Sequence, residues 1–516
     1  MTHFKFATAF LAVALIITTM GTSCAENGAQ IKGEFDSLFE NLPFEMGMVS
    51  RPSIPAFSVS VTDFGGNGNG IFDNTNAFKK AMEHLSSKGG GHLVVPAGIW
   101  KTGPIEILSN IDLHIVKDAV IIFDPTRELY PIISTSFEGL DTYRCESPLY
   151  AQNAENISIT GGGVIDGSGQ SWRPVKKAKL TSAQWKEVLA RGGVTDEKGS
   201  CWYPSEEYIE AEKAADMNVI PEMTKDLAEK YKDFLRPVMV SLRNCKNVLL
   251  EGCTFQNSPA WNIHPLLCTN MIIKDITVRN PWYAQNGDGI DIESCTDVVL
   301  VSSTFDVGDD GICVKSGKDE AGRKRGIPTK GLIVSDCTVY HGHGGFVVGS
   351  EMSGGVENVK VSNCRFLGTD VGLRFKSKRG RGGVVKNIYI NDIYMTDIVT
   401  ETLLFDLFYG GKSAVEALED GNGTAPVETI AVDETTPSFR DIYISNIVCN
   451  GAGRAMFFNG LPEMPVKNVN VTNCTITSKS GIEICRAEDV TLKNVKVTPE
   501  KGEAVIKSEV KNFIME

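Results

Sequence analysis

Six polar side chains with the chemistry of acids, bases or anion-binding groups lie in or beside four copies of one short motif. Each copy has a glycine, alternating apolar residues and a final serine, and the copies span 288–294, 310–316, 344–350 and 371–377. A motif repeated at intervals of 22, 34 and 27 residues indicates one structural unit stacked on itself. The polar residues differ from copy to copy and are Asp288, Asp309, Asp310, His343, Arg374 and Lys376. A regular scaffold varied at one place in this way can build a reaction site.

Asp309, His343 and Asp370 share one position of a longer repeat. A nine-residue strand pattern begins at positions 247, 270, 297, 331, 358, 387, 441, 468 and 489, and an earlier copy begins at 156. Each of the three residues follows the start of its copy by 12 positions, and Asp310 aligns with Asp288 of the preceding copy. Short strands that recur every ~20–30 residues are typical of a β-solenoid, in which each coil buries its core face on the next. We therefore expect these side chains to lie together on one edge of a solenoid.

Three carboxylates in such a cluster repel one another. At least one should keep its proton near neutral pH, or a cation must bind among them. A protonated carboxyl beside an ionised one is the arrangement that general acid–base catalysis requires. A lone Asp-Gly pair is more commonly only a turn, but the grouping of Asp288, Asp309 and Asp310 with His343 favours chemistry.

Arg374 and Lys376 alternate with apolar Leu373 and Phe375. Residues two apart on a strand face the same way, so both cations should point away from the core, on the face that carries Asp291. An Arg holds a carboxylate through two parallel hydrogen bonds, and a Lys adds a point charge. We interpret the pair as a binding site for a substrate carboxylate, with ion pairs to acids of the same face as the alternative.

His264 and two aromatic residues are further candidates for the same edge. His264 belongs to the turn two coils before Asp309, where it either faces the cleft and binds substrate or packs as a structural histidine. Trp261 and Tyr283 offer flat faces for sugar stacking, with aromatic packing as the alternative for each.

The composition is that of a globular chain and argues against two classes of function. Of the 516 residues, 42% are hydrophobic and 22% are charged. The net charge of −13 gives no reason to expect nucleic-acid binding, and no later apolar run reaches the ~20 residues of a membrane helix. The 13 cysteines follow the repeat, with Cys253, Cys337, Cys364 and Cys474 at one position of the pattern. We therefore expect the cysteine side chains to pack on one another in the core, rather than to form disulfides or bind a metal.

Three segments depart from the repeat. Residues 73–87 have polar capping residues followed by Phe78, Ala81, Met82 and Leu85, which predicts an amphipathic helix that covers the open end of the solenoid. The strand signal vanishes from about 170 to 236, which we interpret as a helical insertion from one coil. A polar loop is predicted near 410–436. Residues 26–516 are thus predicted to form a single domain.

The first 25 residues have the pattern of an export signal. Lys5 is followed by an apolar run over 6–17 and then by small residues. The segment Gly-Thr-Ser-Cys24 resembles a bacterial lipobox, although Leu is usual where Gly21 stands. Plain cleavage after Ala25 and a lipid anchor on Cys24 both remain open. We expect an exported protein, in the periplasm, on the cell surface or secreted, whose membrane contact would be limited to that anchor.

Four segments of the chain resemble a known family. Asn-Gly-Asp at 286–288, Gly-Asp-Asp at 308–310, Gly-His-Gly at 342–344 and Arg-Phe-Lys at 374–376 resemble the signature segments of the family 28 glycoside hydrolases, the polygalacturonases. The resemblance covers about residues 59–497 and implies an all-β chain with the family's right-handed parallel β-helix. Gly287 stands where the family usually has Thr, a small change beside the Asp.

The resemblance also implies roles for the clustered residues. Asp309 would be the general acid, and His343 would tune its proton. Asp288 and Asp310 would position and deprotonate the attacking water, with carboxyl groups roughly 6.5–9.5 Å apart because the family inverts configuration. Arg374 and Lys376 would hold the galacturonate carboxylate. No cofactor and no metal are implied.

The implied activity is hydrolysis of α-1,4-galacturonosyl linkages in pectin-derived poly- or oligogalacturonate, by a chain that we expect to be a monomer. The connection 315–328 is similar to that of bacterial exo-acting members, and the insertion after 170 could wall off one end of the cleft, so we predict exo action. Three alternatives remain open. They are a rhamnogalacturonan-directed hydrolase of the same family, a Ca²⁺-dependent pectate lyase that uses the Asp cluster, and a non-catalytic glycan-binding solenoid. The presence of His343 and Arg374 favours a uronic acid beside the cleaved bond.

Overall fold

A computed structural model of the chain describes residues 33–410 and 428–516. The predicted export signal with Cys24 and residues 411–427 of the predicted polar loop lie outside these residues, and both stay predictions. The chain divides into two compact units, Met1–Glu40 and Asn41–Glu516. The described part of the first contains the short helix α1 (Asp36–Phe39). Across the described ranges, no helix is both long enough and apolar enough to span a membrane.

Parallel strands stacked in three ladders form the body of the second unit, and this confirms the predicted parallel β-helix. The first ladder contains Ser58–Ser60, Gly91–Val95, Ile111–Ile115, Glu155–Gly161, Lys246–Glu251, Thr269–Lys274, Thr296–Val301 and Thr329–Ser335. The second contains Gly98–Thr102, Ala119–Phe123, Val164–Asp166, Thr254–Gln256, Thr277–Arg279, Thr304–Val307 and Thr338–His341. The third contains Ile105–Glu106, Leu149–Gln152, Val240–Arg243, Ile263–Leu266, Ile290–Glu293, Asp310–Lys315, Gly344–Gly349 and Leu373–Lys376. Later coils join these strands into longer bent ones: Val356–Leu367, Val384–Asp406, Ser438–Asn459, Val466–Ser478, Ser480–Pro499 and Val505–Met515.

The nine-residue pattern is a strand, a corner and a second strand, rather than the single strand that its alternation predicts. Its first and sixth positions have left-handed backbone, with φ of 54° at Asn247 and 80° at Gly252, and 55° at Asn270 and 53° at Asp275. Gly, Asn and Asp tolerate this conformation best, which explains why they recur there. The Asn270 amide also donates to Asn247 (2.7 Å), and that of Asn247 to Asn156 (2.9 Å). The corners therefore lock each coil to the one before.

The interior of the coils is one continuous apolar core. In the copies that begin at 247 and later, the second, fourth, seventh and ninth residues point inward, as Val248, Leu250, Cys253 and Phe255 do. Every cysteine in the described ranges is buried, and none of them is in a disulfide. The cysteine ladders are thus packing elements, as predicted.

The predicted helix near the N-terminus is confirmed as α2 (Thr75–Ser87). Its buried side chains Phe78, Ala81, Met82 and Leu85 belong to the solenoid core. The helix packs on the first strands of the first ladder.

An insertion and a hairpin stand outside the ladders. The insertion contains helices α3 (Ser182–Ala190), α4 (Glu206–Ala214) and α5 (Lys225–Lys230) and the short strands Val175–Lys176, Val194–Thr195 and Cys201–Tyr203. The hairpin, Ile132–Phe137 with Leu140–Cys145, is not foreseen from the sequence. Helix α6 (Asp319–Arg325) lies in the connection after the third-ladder strand Asp310–Lys315. Single 3₁₀ turns occur at Val61–Phe64, Arg127–Leu129, Gly169–Ser171 and Lys177–Lys179.

Candidate active site

The third ladder and the turns that lead into it hold the predicted site residues. Arg374 is in register with Asp291 through the two intervening strands, and Leu373 and Phe375 point into the core. Arg374 and Lys376 therefore project from the outer face, as their alternation predicts. The turns also stack as predicted, because the His343 N–H donates to the Asp309 carbonyl at 2.9 Å.

These side chains line one cavity of about 130 Å³. The predicted residues in its lining are Asp288, Asp309, Asp310, His343, Arg374 and Lys376. The other lining residues are Glu138, Met217, Trp261, Asn286, Lys315, Ser350, Glu351 and Tyr409. Tyr283, predicted as a possible stacking face, lies outside this lining.

One oxygen from each of Asp288, Asp309 and Asp310 lies within 4.8 Å of the other two. By nearest oxygen, the carboxylates are closer than the roughly 6.5–9.5 Å that the inverting resemblance implies. A water between them would therefore contact two carboxylates at once.

Asp309 and His343 form an ion pair across neighbouring coils, with 3.1 Å between Oδ1 and Nδ1. The charge of Asp309 raises the pKa of His343 to about 9. Burial alone would raise the pKa of Asp309, but the charge and the hydrogen bond of His343 hold it well below its ordinary value. At neutral pH the pair is thus an imidazolium that donates to a carboxylate, and the two residues share one titratable proton.

Asp310 forms ion pairs with both cations, Arg374 and Lys376. Lys376 Nζ lies 2.7 Å from Asp310 Oδ2 and Arg374 Nη1 lies 3.3 Å from Oδ1, with all three side chains buried. Burial acts to raise the pKa of Asp310, but Lys376 and Arg374 hold it below its ordinary value. The cations therefore face the cavity, as predicted, but their partner is Asp310 rather than the acids of the same face.

Asp288 is the carboxyl of the three whose pKa is raised. Burial, followed by the nearby charge of Asp291, raises its pKa well above the ordinary value. Asp291 lies beneath it, and neither of its oxygens accepts a hydrogen bond from a described residue. Burial raises the pKa of Asp291 to about 8, although Lys315 Nζ is 3.5 Å away.

Sequence reasoning missed a second charged pair in the cavity. Lys315 Nζ lies 2.9 Å from Glu351 Oε2 and 4.5 Å from the centre of the Trp261 ring. Lys315 and Lys376 stand in one register line of the third ladder. That alignment, visible in the repeated motif, was the signal that could have identified Lys315.

His264 does not face the cavity, and this part of the prediction is wrong. Its Nε2 lies 2.8 Å from Glu293 Oε2, and both side chains are almost fully buried. Trp261 covers it edge-to-face at 5.1 Å, and Arg325 binds the other oxygen of Glu293 at 2.7 Å. These groups enclose the imidazole. His264 is therefore a structural histidine, which was the alternative to a role in substrate binding.

The three aspartates fit a divalent cation by spacing but not by charge. Two oxygens on one Ca²⁺ are up to about 5 Å apart, and the observed spacing falls within that reach. However, Asp310 already binds Lys376 and Arg374, Asp309 binds His343, and burial raises the pKa of Asp288. A cation would have to displace these partners, so the site favours proton transfer over metal binding.

The tip of the hairpin and a segment of the insertion line one part of the cavity through Glu138 and Met217. We call residues 137–140 and 216–219 the wall. Phe137 packs on Trp261 with 4.4 Å between ring centres, and the Lys318 N–H donates to the Gly139 carbonyl at 3.1 Å. Trp261, which carries the wall's Phe137, precedes the third-ladder strand Ile263–Leu266, whereas Tyr409 lies against Arg374 and Lys376 of a later coil. The cavity is thus bounded at one end by packed groups.

Comparison with known proteins places this geometry in a family. Residues 224–449 match the family model described as "Glycosyl hydrolases family 28". A probable polygalacturonase of Vitis vinifera is 30% identical over 83% of this chain and 76% of its own length. The exo-poly-alpha-D-galacturonosidase of Dickeya chrysanthemi is 25% identical over 85% of this chain and 71% of its own length.

Solved structures agree with these sequence matches. The exopolygalacturonase of Thermotoga maritima superposes with a TM-score of 0.69 and 31% identity, over 88% of this chain and 95% of that one. The family 28 exopolygalacturonase of Yersinia enterocolitica, at a TM-score of 0.67 and 23% identity, covers 89% of this chain and 78% of that one and shows the shared fold.

Proposed function

We propose, because this chain belongs to family 28 of the glycosyl hydrolases, that it hydrolyses α-1,4-galacturonosyl linkages in pectin-derived galacturonan. The observation that carries the proposal is one cavity in which Asp288, Asp309 and Asp310 face the cations Arg374 and Lys376. The acids supply proton transfer, and the cations supply recognition of an anionic sugar. The sequence relatives named as polygalacturonases support the same substrate.

In this proposal the Asp309–His343 pair supplies the proton. The pair shares one titratable proton, which rests on the imidazole in the free protein. When a glycosidic oxygen enters hydrogen-bonding range of Asp309, that proton passes through the carboxyl to the leaving oxygen. His343 thus keeps the acid loaded at neutral pH, although the pKa of Asp309 itself is low.

Asp310 is the ionised base of the proposed mechanism. Lys376 and Arg374 keep it charged, so it can take a proton from water as the water attacks the anomeric carbon. Asp288, which holds its own proton, orients that water from the other side. Attack opposite to the leaving oxygen inverts the configuration of the sugar.

Arg374 and Lys376 also mark the place of a sugar carboxylate. Arg374 Nε is buried and has no hydrogen-bond partner among the described residues. Tyr409 lies against both cations, with 4.9 Å from its ring centre to Lys376 Nζ and 5.6 Å to Arg374 Cζ. A uronate bound there would give the guanidinium a second anionic partner.

The closed end of the cavity supports exo action. A polymer cannot continue past packed groups such as Phe137 on Trp261, so a chain end must occupy the cavity. The exopolygalacturonase from Thermotoga maritima, 31% identical over most of both chains, has the same overall fold.

The test is product analysis on polygalacturonate and on rhamnogalacturonan, each with and without EDTA, with the Asp309→Asn variant as the control. We expect early release of monogalacturonate from polygalacturonate, a slow fall in viscosity and no effect of EDTA. Rapid loss of viscosity before monomer release would contradict exo action. EDTA-sensitive release of unsaturated products would identify a lyase, and cleavage of rhamnogalacturonan alone would identify the related hydrolase.

A further inference from the structure

The wall presents a single acidic side chain, Glu138, to the cavity. Glu138 and Gly139 form the two-residue turn of the hairpin, with φ of 49° and 71°. Turns with two positive φ values favour Asn, Asp and Gly, so a glutamate there is locally unfavourable. Its side chain is nevertheless buried, with the residue 4% exposed, and lines the cavity. This combination points to a role for the carboxyl rather than for the turn.

The surroundings of Glu138 raise the pKa of its carboxyl. Asn218 Nδ2 donates to Oε1 at 2.5 Å, whereas Oε2 has only a 3.5 Å contact from the Asn218 N–H. Burial and the charge of Glu351 raise the pKa of Glu138, and the charged amines nearby, Lys315 and Lys318, do not offset this. Lys315 is engaged by Glu351 at 2.9 Å, and Lys318 lies 3.8 Å from Asp216. Its weakly occupied oxygen Oε2 can accept a hydrogen bond from a sugar hydroxyl, and a protonated carboxyl can also donate one.

The order of the catalytic groups shows which sugar meets the wall. Asp288 lies one coil before Asp309 in the third ladder, and His343 lies one coil after it. The wall packs on an earlier coil through Phe137 on Trp261. The side of the proposed water that Asp288 occupies therefore faces the wall, and the Asp309–His343 acid lies beyond it. The sugar that is attacked then lies against the wall, so the group that meets Glu138 belongs to the non-reducing end of the chain.

We propose that Glu138 is a specificity-determining residue that recognises the 4-hydroxyl of the non-reducing terminal galacturonate through a hydrogen bond. This proposal rests on the proposed function above. A site built to hydrogen-bond a hydroxyl rejects an analogue that lacks it, because the buried group is left unpaired. Chain ends made by β-elimination lack this hydroxyl, whereas ends made by hydrolysis keep it. The enzyme would thus act downstream of hydrolytic rather than eliminative chain cleavage.

The test compares two trigalacturonates, one with a saturated and one with a 4,5-unsaturated non-reducing end. The full-length protein should show kcat/KM at least roughly tenfold lower on the unsaturated substrate. Glu138→Ala should lower kcat/KM on the saturated substrate by roughly tenfold and bring the two substrates to within about twofold of each other. Glu138→Gln, which keeps a neutral donor and acceptor, should retain most of the discrimination. Asp141→Asn, at a side chain 88% exposed in the same hairpin, is the matched control and should behave like the parent protein.

The outcomes separate this proposal from the proposed function. Exo-hydrolysis that continues with equal rates on both substrates in the parent protein would overturn the role of Glu138 alone. So would a Glu138→Ala variant that still discriminates. No hydrolysis of either trigalacturonate would overturn the proposed function itself. Because loss of the Asn218 contacts could unfold the wall, the Tm of each variant is measured, and Glu138→Gln decides the question if Glu138→Ala does not fold.

Discussion

The two sides of the cavity are built by different means. The floor, which is the outer face of the third ladder over 288–293, 310–315, 344–350 and 373–376, is positioned by backbone register. The wall lies outside the three parallel ladders and is held by buried side chains. Arg144 lies over the Phe137 ring at 3.7 Å and donates to the Asn218 carbonyl at 3.2 Å. The repeated coils therefore position the acids and cations of the site, and the irregular segments outside the ladders form the wall beside them.

The wall is nevertheless tied to the floor. Arg144 donates to the Arg236 carbonyl at 2.6 Å, and Arg236 Nη2 donates to Asn286 Oδ1 at 2.8 Å. Asn286 stands two residues before Asp288 and lines the cavity. Because the wall and the floor are in contact, their substitutions must be distinguished by different measurements. Product length reports on the wall, and reaction rate reports on the floor.

The largest effect is expected for Asp309→Asn in the floor. Asn keeps the shape of the side chain but cannot pass a proton, and general acid catalysis contributes roughly 10²–10⁴-fold. We expect kcat on polygalacturonate to fall by roughly 10³-fold with the chain still folded. Rates from reducing-end release and a circular dichroism spectrum check this. Retention of a tenth of the parent activity would show that another group is the acid.

Lys376→Met should affect both rate and stability. Among the described residues it leaves buried Asp310 with one paired cation, Arg374, and breaking a buried pair costs about 3 kcal/mol. We expect a lower Tm and roughly 10²-fold lower kcat/KM on polygalacturonate, measured by thermal denaturation and reducing-end release.

A second substitution sharpens this result. Asp310→Asn in the Lys376→Met background removes the unpaired charge, so it should restore most of the Tm but none of the activity. Lys378→Met is the control, because Lys378 is exposed and follows the same strand. If Lys378→Met lowers the activity as much, the specific contact between Lys376 and Asp310 is not the cause.

Phe137→Ala should change product length more than rate. It removes a ring that is 1% exposed and stacked on Trp261, which costs about 3 kcal/mol of stability. We expect less than tenfold change in bond cleavage but a shift from monogalacturonate to longer oligomers, measured by chromatography of early products. Phe137→Leu, which keeps most of the volume, should restore monomer release. Unchanged products in Phe137→Ala would show that the wall does not determine where the chain end sits.

The floor can be predicted from the sequence more completely than the wall, because only the floor is built from the repeat. The 12-residue offset of Asp309, His343 and Asp370 identifies the floor because parallel pairing carries register from coil to coil. The corners inside the nine-residue pattern went unrecognised, although Asn247 and Gly252 signal left-handed backbone. An alternating pattern reports which residues are buried but not where a strand bends.

The sequence suggests a wall from the insertion, but it does not identify the hairpin part of the wall or decide the position of His264, for a physical reason. Glu138 meets the cavity through a hairpin whose contacts, such as Phe137 on Trp261, join residues far apart in sequence without a repeat. His264 was expected near the cleft from its turn, but Glu293 and the Trp261 ring enclose it. Both depend on side-chain packing, which sequence spacing does not determine.

The smallest effect is expected for His343→Gln on the pH dependence of stability. The folded pKa of His343 is about 9, above its ordinary value of 6.5, so its ion pair with Asp309 stabilises the protein fully below pH 6.5. That contribution is lost as pH rises from 6.5 to about 9. The His343 side chain is 35% exposed, so solvent screening limits the contribution to about 1 kcal/mol. The Tm of the parent protein should exceed that of His343→Gln by about 2 °C at pH 6, and the difference should disappear above pH 9. A difference that is constant across this range would mean that His343 stabilises the floor by packing rather than by charge.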